Sequence, residues 1–203
     1  NAFNGCTGIT RVTIGTDVTS LPATAFTGCT GITSVTWNAK NCTTSYTSSA
    51  QPFSANKANI SSFSFGSLVE SIPAYLCYQM TTLSSISIGS SVTSIGTYAF
   101  SGCSNLATVK FGTGASSPCN IETIGLGAFA SCTKVANVYC YGSSATDAMA
   151  RWLNIGFAGT TANPFGASTV AGSSKKFYIN GTNTTTLTPT NLSGATTIKK
   201  YAF

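Results

Sequence analysis

The side chains able to do chemistry are few, and their spacing suits little of it. The chain of 203 residues has no histidine, four carboxylates (Asp17, Glu70, Glu122 and Asp147), ten lysines and arginines, and eight cysteines. Without histidine the commonest general base and the commonest transition-metal ligand are missing. Zinc would have to use cysteine alone. The closest pair, Cys132 and Cys140, is eight residues apart, so the paired spacing of zinc sites is absent. The carboxylates form no acidic calcium loop. None has a partner at the matching place of a neighbouring repeat, so the pair about 5–9 Å apart that glycoside hydrolysis needs is not expected. Ser173-Ser174-Lys175-Lys176 is the one Ser–Lys juxtaposition, and it reads as a solvated loop. There is no phosphate-binding glycine loop ahead of a helix. The residues predict a non-enzyme with no metal and no cofactor.

The cysteines are informative through their spacing. Cys6, Cys29, Cys103 and Cys132 each close a short motif: Ala2-Phe3-Asn4-Gly5-Cys6, Ala25-Phe26-Thr27-Gly28-Cys29, Ala99-Phe100-Ser101-Gly102-Cys103 and Ala128-Phe129-Ala130-Ser131-Cys132. Equivalent places in a repeat point their side chains the same way, whereas a disulfide needs converging Cβ vectors. These four therefore predict a ladder of buried free thiols. Cys77 falls at a Phe place and is expected to be buried. Cys42 and Cys119 fall in insertions and are expected to be exposed. Cys119 with Cys140 is a candidate bridge, and their oxidation state is left open.

The elements that position these residues are repeats. Phe3 to Phe26 is 23 residues, and self-similarity at such a period means a solenoid in which each unit packs on its neighbours. An apolar run begins six residues after each Phe. It reads Ile9-x-x-Val12-x-Ile14, Ile32-x-x-Val35-x-Trp37, Ile60-x-x-Phe63-x-Phe65, Leu83-x-x-Ile86-x-Ile88, Leu106-x-x-Val109-x-Phe111 and Val135-x-x-Val138-x-Cys140. Its last two apolar positions alternate with a polar one, the pattern of a half-buried strand. A second short pair follows at Val18–Leu21, Val69–Ile72, Val92–Ile95 and Ile121–Ile124, and is expected to be another strand. Pro22, Pro73, Gly96 or Gly125 then turns the chain. Phe53 and Phe165 are expected to mark degenerate copies. Seven or eight turns predict a stack of roughly 35 Å.

Two segments interrupt the period, at about 38–59 and 141–175. In the second, Ala145–Leu153 reads as the one helix, capped by Thr146 or Ser144, with Trp152 expected to be buried against the coil.

The pattern resembles the BspA-type leucine-rich repeat family. Val92-Thr93-Ser94-Ile95-Gly96-Thr97-Tyr98-Ala99-Phe100-Ser101-Gly102-Cys103 carries the resemblance most closely, and it extends over 1–37 and 60–140. Residues 151–155 with 162–165, and 176–203, are similar to further copies. The resemblance implies a mostly β, right-handed leucine-rich-repeat solenoid with short parallel strands and one helical insertion, a single domain over 1–203. It also implies an exported protein of a bacterial or protist surface, in some members adhesive, and it supplies no catalytic residues. Since the chain starts and stops inside repeats, it is expected to be a fragment of a longer exported array.

Only 7% of residues are charged and the net charge is +6. The basic residues form no stripe interleaved with aromatics, so nucleic acid is not an expected partner. No apolar run is long enough to cross a membrane. The expected partner is a host or neighbouring-cell protein or glycan, bound through one extended face. The outward positions of the first strands make two stripes. One is Thr13, Thr36, Ser64, Ser87, Lys110 and Tyr139; the other is Arg11, Ser34, Ser62, Ser85, Thr108 and Asn137. Arg11, Lys110 and Tyr139 stand out and are the candidate binding residues, because Tyr and Arg are favoured at binding hot spots. The alternative is a structural stalk with no ligand of its own, which the even run of Ser and Thr favours.

Overall fold

The computed structural model describes residues 3–184 and 198–203. Ala2 of the first motif and residues 185–197 of the last expected repeat lie outside it. In chain order the strands are β1 (Arg11–Ile14), β2 (Ser34–Trp37), β3 (Ser62–Phe65), β4 (Ser71–Ile72), β5 (Ser85–Ile88), β6 (Ser94–Ile95), β7 (Thr108–Phe111), β8 (Thr123–Ile124) and β9 (Asn137–Cys140). Then come the helix α1 (Ala145–Asn154) and strands β10 (Gly156–Phe157), β11 (Lys176–Ile179) and β12 (Thr182–Thr184).

The four-residue strands stack as β1-β2-β3 and β5-β7-β9-β11, all parallel, with β12 returning antiparallel on β11. Between the two groups β3 lies beside β5 without a ladder, joined by the Thr81 amide to Lys57 O and the Thr82 hydroxyl to Ile60 O. The two-residue strands form a second parallel sheet, β4-β6-β8-β10. Each rung is therefore strand, corner, short strand, turn. The register keeps repeat positions opposite each other: Ser87, Lys110, Tyr139 and Tyr178 are successive neighbours across the strands. Because side chains alternate, one register places every Val, Ile or Phe inside and every polar neighbour outside.

Phe3, Phe26 and Phe53 stack face to face at 5.6 and 5.4 Å, as do Phe100 and Phe129 at 5.4 Å. Cys77 holds the intervening Phe place. There the aromatic contact detours through Phe63 and Phe65 of β3, whose rings link Phe53 to Phe100 at centroid distances of 5.2–6.1 Å. A small residue on one side of the rung is matched by a large one on the other, which keeps interior packing dense.

The thiol ladder is real and does more than fill space. Cys29, Cys103 and Cys132 are fully buried, and each thiol donates to the carbonyl at the Phe place of the preceding rung: Phe3 at 2.8 Å, Cys77 at 3.2 Å and Phe100 at 3.1 Å. Burial raises the Cys103 and Cys77 thiols well above the usual range. Cys6, the first member, is exposed rather than buried, because among the described residues no rung covers that side of it. Before each ladder cysteine the chain needs a left-handed residue. Gly28 and Gly102 supply it at φ 74° and 78°, whereas Ser131 adopts it at 59° before Cys132 and Gln79 at 60° before Met80, which holds the Cys place of its rung, a conformation costing a non-glycine about 1 kcal/mol.

Four expectations are corrected. Val18–Leu21 forms no strand. The Leu21 amide is taken by the Thr44 hydroxyl at 2.9 Å, because the longer repeat through 38–59 lays a side chain where a backbone ladder would run. Cys42 and Cys119 are buried, at 4% and 1% exposure, since the segments that carry them, within 38–59 and between β7 and β8, lie against the coil instead of projecting from it, the latter through the Cys119 amide on Tyr141 O. Tyr46 follows the same pattern: it is buried, donates to Leu21 O at 2.9 Å, and its phenol is pushed above the normal tyrosine range by burial first. Residues 141–175 do not interrupt the stack. They contain β10, which pairs β8, and a turn in which the Phe129 amide donates to Thr161 O. By that count Ala162 takes the Phe place and Phe165 the Cys place.

The segment does contain the helix, and Ser144 is its cap, accepting from the Asp147 amide at 3.1 Å. Ala148, Met149, Trp152 and Leu153 form the buried face. Trp152 is 1% exposed and donates its indole N–H to Ala202 O at 2.9 Å. Arg151 holds Asp147 at 2.8 Å and Cys119 O at 3.0 Å, tying the helix to the preceding corner. Burial works against ionisation of Asp147, but the Arg151 guanidinium and the amide and hydroxyl of Ser143 outweigh it and hold the carboxyl below its usual value. The closing Tyr201-Ala202-Phe203 has the repeat conformation: Tyr201 is left-handed at φ 68°, like Tyr75, Tyr98 and Gly127 at the equivalent place.

Candidate binding face

The outer side of the long strands carries two different surfaces on one backbone. From β1 to β5 its central stripe is Thr13, Thr36, Ser64 and Ser87. From β7 to β11 the same stripe is Lys110, Tyr139 and Tyr178. Tyr139 and Tyr178 stack at 4.1 Å and 6° between planes. Tyr141, two residues further along, lies parallel to Tyr139 at 6.2 Å and 9°. The Lys110 ammonium sits over the Tyr139 ring at 5.3 Å, a cation–π contact. Partial burial first, and after it the neighbouring Tyr178 phenol, raise the Tyr139 phenol above its ordinary value.

Lys110 and Tyr139 are thus brought together, and Arg11 is not. It is exposed on β1 opposite Ser34, four rungs from β7, or ~19 Å at the strand spacing. Reasoning from sequence missed Tyr178 and Tyr141. The signal was present: Lys176-Phe177-Tyr178-Ile179 repeats the alternation of Asn137-Val138-Tyr139-Cys140, which puts Tyr178 on the outward stripe.

A second aromatic group has a structural explanation. Tyr75 lies 5.2 Å from Tyr98 and 5.4 Å from Tyr78, with Lys57 over Tyr78 at 4.9 Å. A Cβ on Gly127 would meet the Tyr98 ring, so Tyr98 fills the groove of the next turn. The tyrosines on the sheet fill no such groove.

The apolar clefts lie at the ends of the coil. One of about 340 Å³ is lined by Trp152, Phe165, Phe177 and Phe203, and another of about 370 Å³ by Phe3, Val12, Ile14 and Phe26. A shallow polar groove beside α1 is lined by Glu122, Arg151, Asn154 and Lys199. No group of three His, Cys, Asp or Glu side chains is placed to hold a metal among the described residues, and no helix there is long and apolar enough to cross a membrane. Cys119 and Cys140 are neighbours: the Cys119 amide donates to Tyr141 O at 2.7 Å, and the Cys140 thiol donates to Ala148 O at 3.3 Å. Both are free thiols. The nearby Cys140 thiol, with Arg151 close by, draws the Cys119 thiol down, while the Cys119 thiol and then burial push Cys140 up.

With a 23-residue parallel rung, its Phe column and its thiol column in place, the family comparison is decisive. Six copies of the BspA-type leucine-rich repeat region match, over residues 1–107 and 49–148. The chain belongs to the BspA-type leucine-rich repeat family. No curated protein and no solved structure matches it. In this BspA-type repeat chain the matched copies end at residue 148, inside the first turn of α1, so Tyr178 and its strand come from beyond the recognised repeats while extending the same sheet.

Proposed function

We propose that this chain is a non-catalytic binding module of an exported cell-surface protein, and that its ligand is a host or neighbouring-cell protein or glycan. The reading treats 1–203 as one solenoid domain, coiled right-handed as parallel crossovers almost always are. The observation that carries it is the stacked Tyr139–Tyr178 pair with Lys110, on an outward stripe where the fold asks only for a soluble residue. Large aromatic and cationic side chains gathered at one place are what binding hot spots use. Membership of a leucine-rich repeat family supports an interaction role. Nucleic acid and membrane insertion are not part of this reading, and neither is any enzymatic step.

The test is a solid-phase screen of the purified chain against extracellular-matrix proteins, mucins and a glycan panel at physiological salt, alongside Tyr139→Ala/Tyr178→Ala. Saturable binding lost in the variant is the expected result. A second reading, a stalk that projects another domain, is favoured by one observation: apart from Arg11, the outward stripes of β1 to β5 are entirely Ser and Thr. A folded chain that binds nothing in the screen would select it.

A further inference from the structure

We propose that the lysine–tyrosine half of the long sheet binds a sulfated glycosaminoglycan chain laid across strands β7 to β11. This rests on the binding reading above and names its ligand class.

The first argument is charge. Lys110 and Lys176 face outward on β7 and β11, and exposed Lys134 stands at the corner entering β9. No carboxylate occupies an outward position of β5, β7, β9 or β11. Two of the four acids in the chain are engaged elsewhere, Glu70 with Lys40 at 3.2 Å and Asp147 with Arg151 at 2.8 Å. Asp17 lies just beyond β1 and Glu122 borders β8 in the other sheet. The basic residues of this face therefore keep their full field. An ammonium over a neutral phenol ring has no counter-charge beside it to offset its field, unlike one in an ion pair.

The second argument is ring geometry. Tyr139 and Tyr178 are parallel and 4.1 Å apart, with Lys110 also over Tyr139. Their faces are spent on each other, so a neutral sugar cannot stack on that shared surface. Side chains stand roughly perpendicular to a sheet, so ring edges and hydroxyls meet the solvent. The face offers ammonium and O–H donors, the complement of sulfate oxygens. Among the described residues the apolar clefts named above lie at the ends of the coil and not on this face. An acidic protein partner would want such a cleft for an anchor residue; a hydrated polyanion does not.

The experiment is surface plasmon resonance of the whole chain on immobilised heparin, desulfated heparin, neutral dextran and duplex DNA. The expected result is saturable binding to heparin that weakens roughly tenfold between 50 mM and 200 mM salt, as release of counterions by a few contacts requires. Desulfated heparin and dextran give no saturable signal. Lys110→Ala/Lys176→Ala weakens heparin binding roughly tenfold, and Tyr139→Phe/Tyr178→Phe, which keeps the rings, weakens it several-fold. Lys199→Ala/Lys200→Ala leaves it unchanged. Circular dichroism of each variant confirms the fold. Absence of heparin binding, equal binding to desulfated heparin or to DNA, or indifference to Lys110→Ala/Lys176→Ala overturns the inference. If heparin fails while a protein ligand binds in a Tyr139- and Tyr178-dependent way, the sulfated ligand is wrong and the binding face stands. If neither binds, both fall.

Discussion

Strands β1 to β5 and strands β7 to β11 are built on the same rung and differ almost wholly on one side. Inward, both halves follow the same alternation: Val12 and Ile14, Ile86 and Ile88, Val109 and Phe111, Val138 and Cys140 are all buried. Outward, the first half offers hydroxyls and the second a lysine and two stacked tyrosines. A parallel rung constrains its inward residues through packing and its backbone through the ladder. It asks of the outward residues only that they tolerate a pleated surface beside water. The outward stripe is thus the part of the repeat free to vary without cost to the fold, and the half that departs from Ser and Thr is where binding chemistry is to be sought.

The largest effects should be inward and equal in kind in both halves. Phe26→Ala and Phe129→Ala each remove one ring of a stacked column, and urea denaturation should register a loss of about 3–5 kcal/mol. Phe129, with no exposure against 5% for Phe26, should lose more. A negligible loss at either site would break the claim that the halves share one kind of core.

Next comes the device that only the second half possesses, the clamped helix. Asp147→Ala removes the Arg151 bridge and the contacts with Ser143, and should cost about 1–2 kcal/mol. The carboxyl is held below its ordinary value in the folded chain. Its contribution is therefore complete above the unfolded value near pH 4 and is lost as pH falls through the folded value. Wild type and variant should converge in stability on the acid side, and a difference that persists there would assign the effect to something other than ionised Asp147.

Outward substitutions should barely touch stability. Tyr139→Ala and Tyr178→Ala are each expected to cost less than about 1 kcal/mol, the scale of a cross-strand pair, while removing ligand binding. A loss comparable to Phe129→Ala would mean that the tyrosines are structural and would erase the contrast between the halves. The smallest perturbation is thiol labelling of the native chain. Cys6 should react at once with a thiol reagent, and the other seven only on unfolding, because Cys6 alone is exposed. Rapid labelling of Cys119 or Cys42 would show that an insertion lifts away from the coil.

Much of this was legible in the chain. The rung, the Phe column, the direction of the thiols and the outward stripes all follow from period and alternation, since equivalent positions in a stacked repeat must stand above one another. The insertions were not legible. Composition marked Cys42 and Cys119 as loop residues, but whether a loop projects or folds back depends on what it meets. Here Tyr46 meets Leu21 and Arg151 meets the corner at Cys119. The candidate site was half legible: Lys110 and Tyr139 stood out by type, while Tyr178 keeps the strand alternation but follows Tyr139 by 39 residues, too far for the 23-residue period to carry the stripe to it.

The sequence by itself determined the repeat, its period, the family and the residues that face inward, because a short-range pattern repeated along the chain has only one way to bury its apolar side. Only the tertiary structure decided which outward residues meet. Lys110, Tyr139 and Tyr178 are 29 and 39 residues apart in the chain and become neighbours through the parallel register. Arg11, equally conspicuous in the sequence, is carried away along the stack. The same distance-independent pairing decided that 141–175 completes a rung, since the β8–β10 ladder forms across a helix that periodicity alone reads as a break.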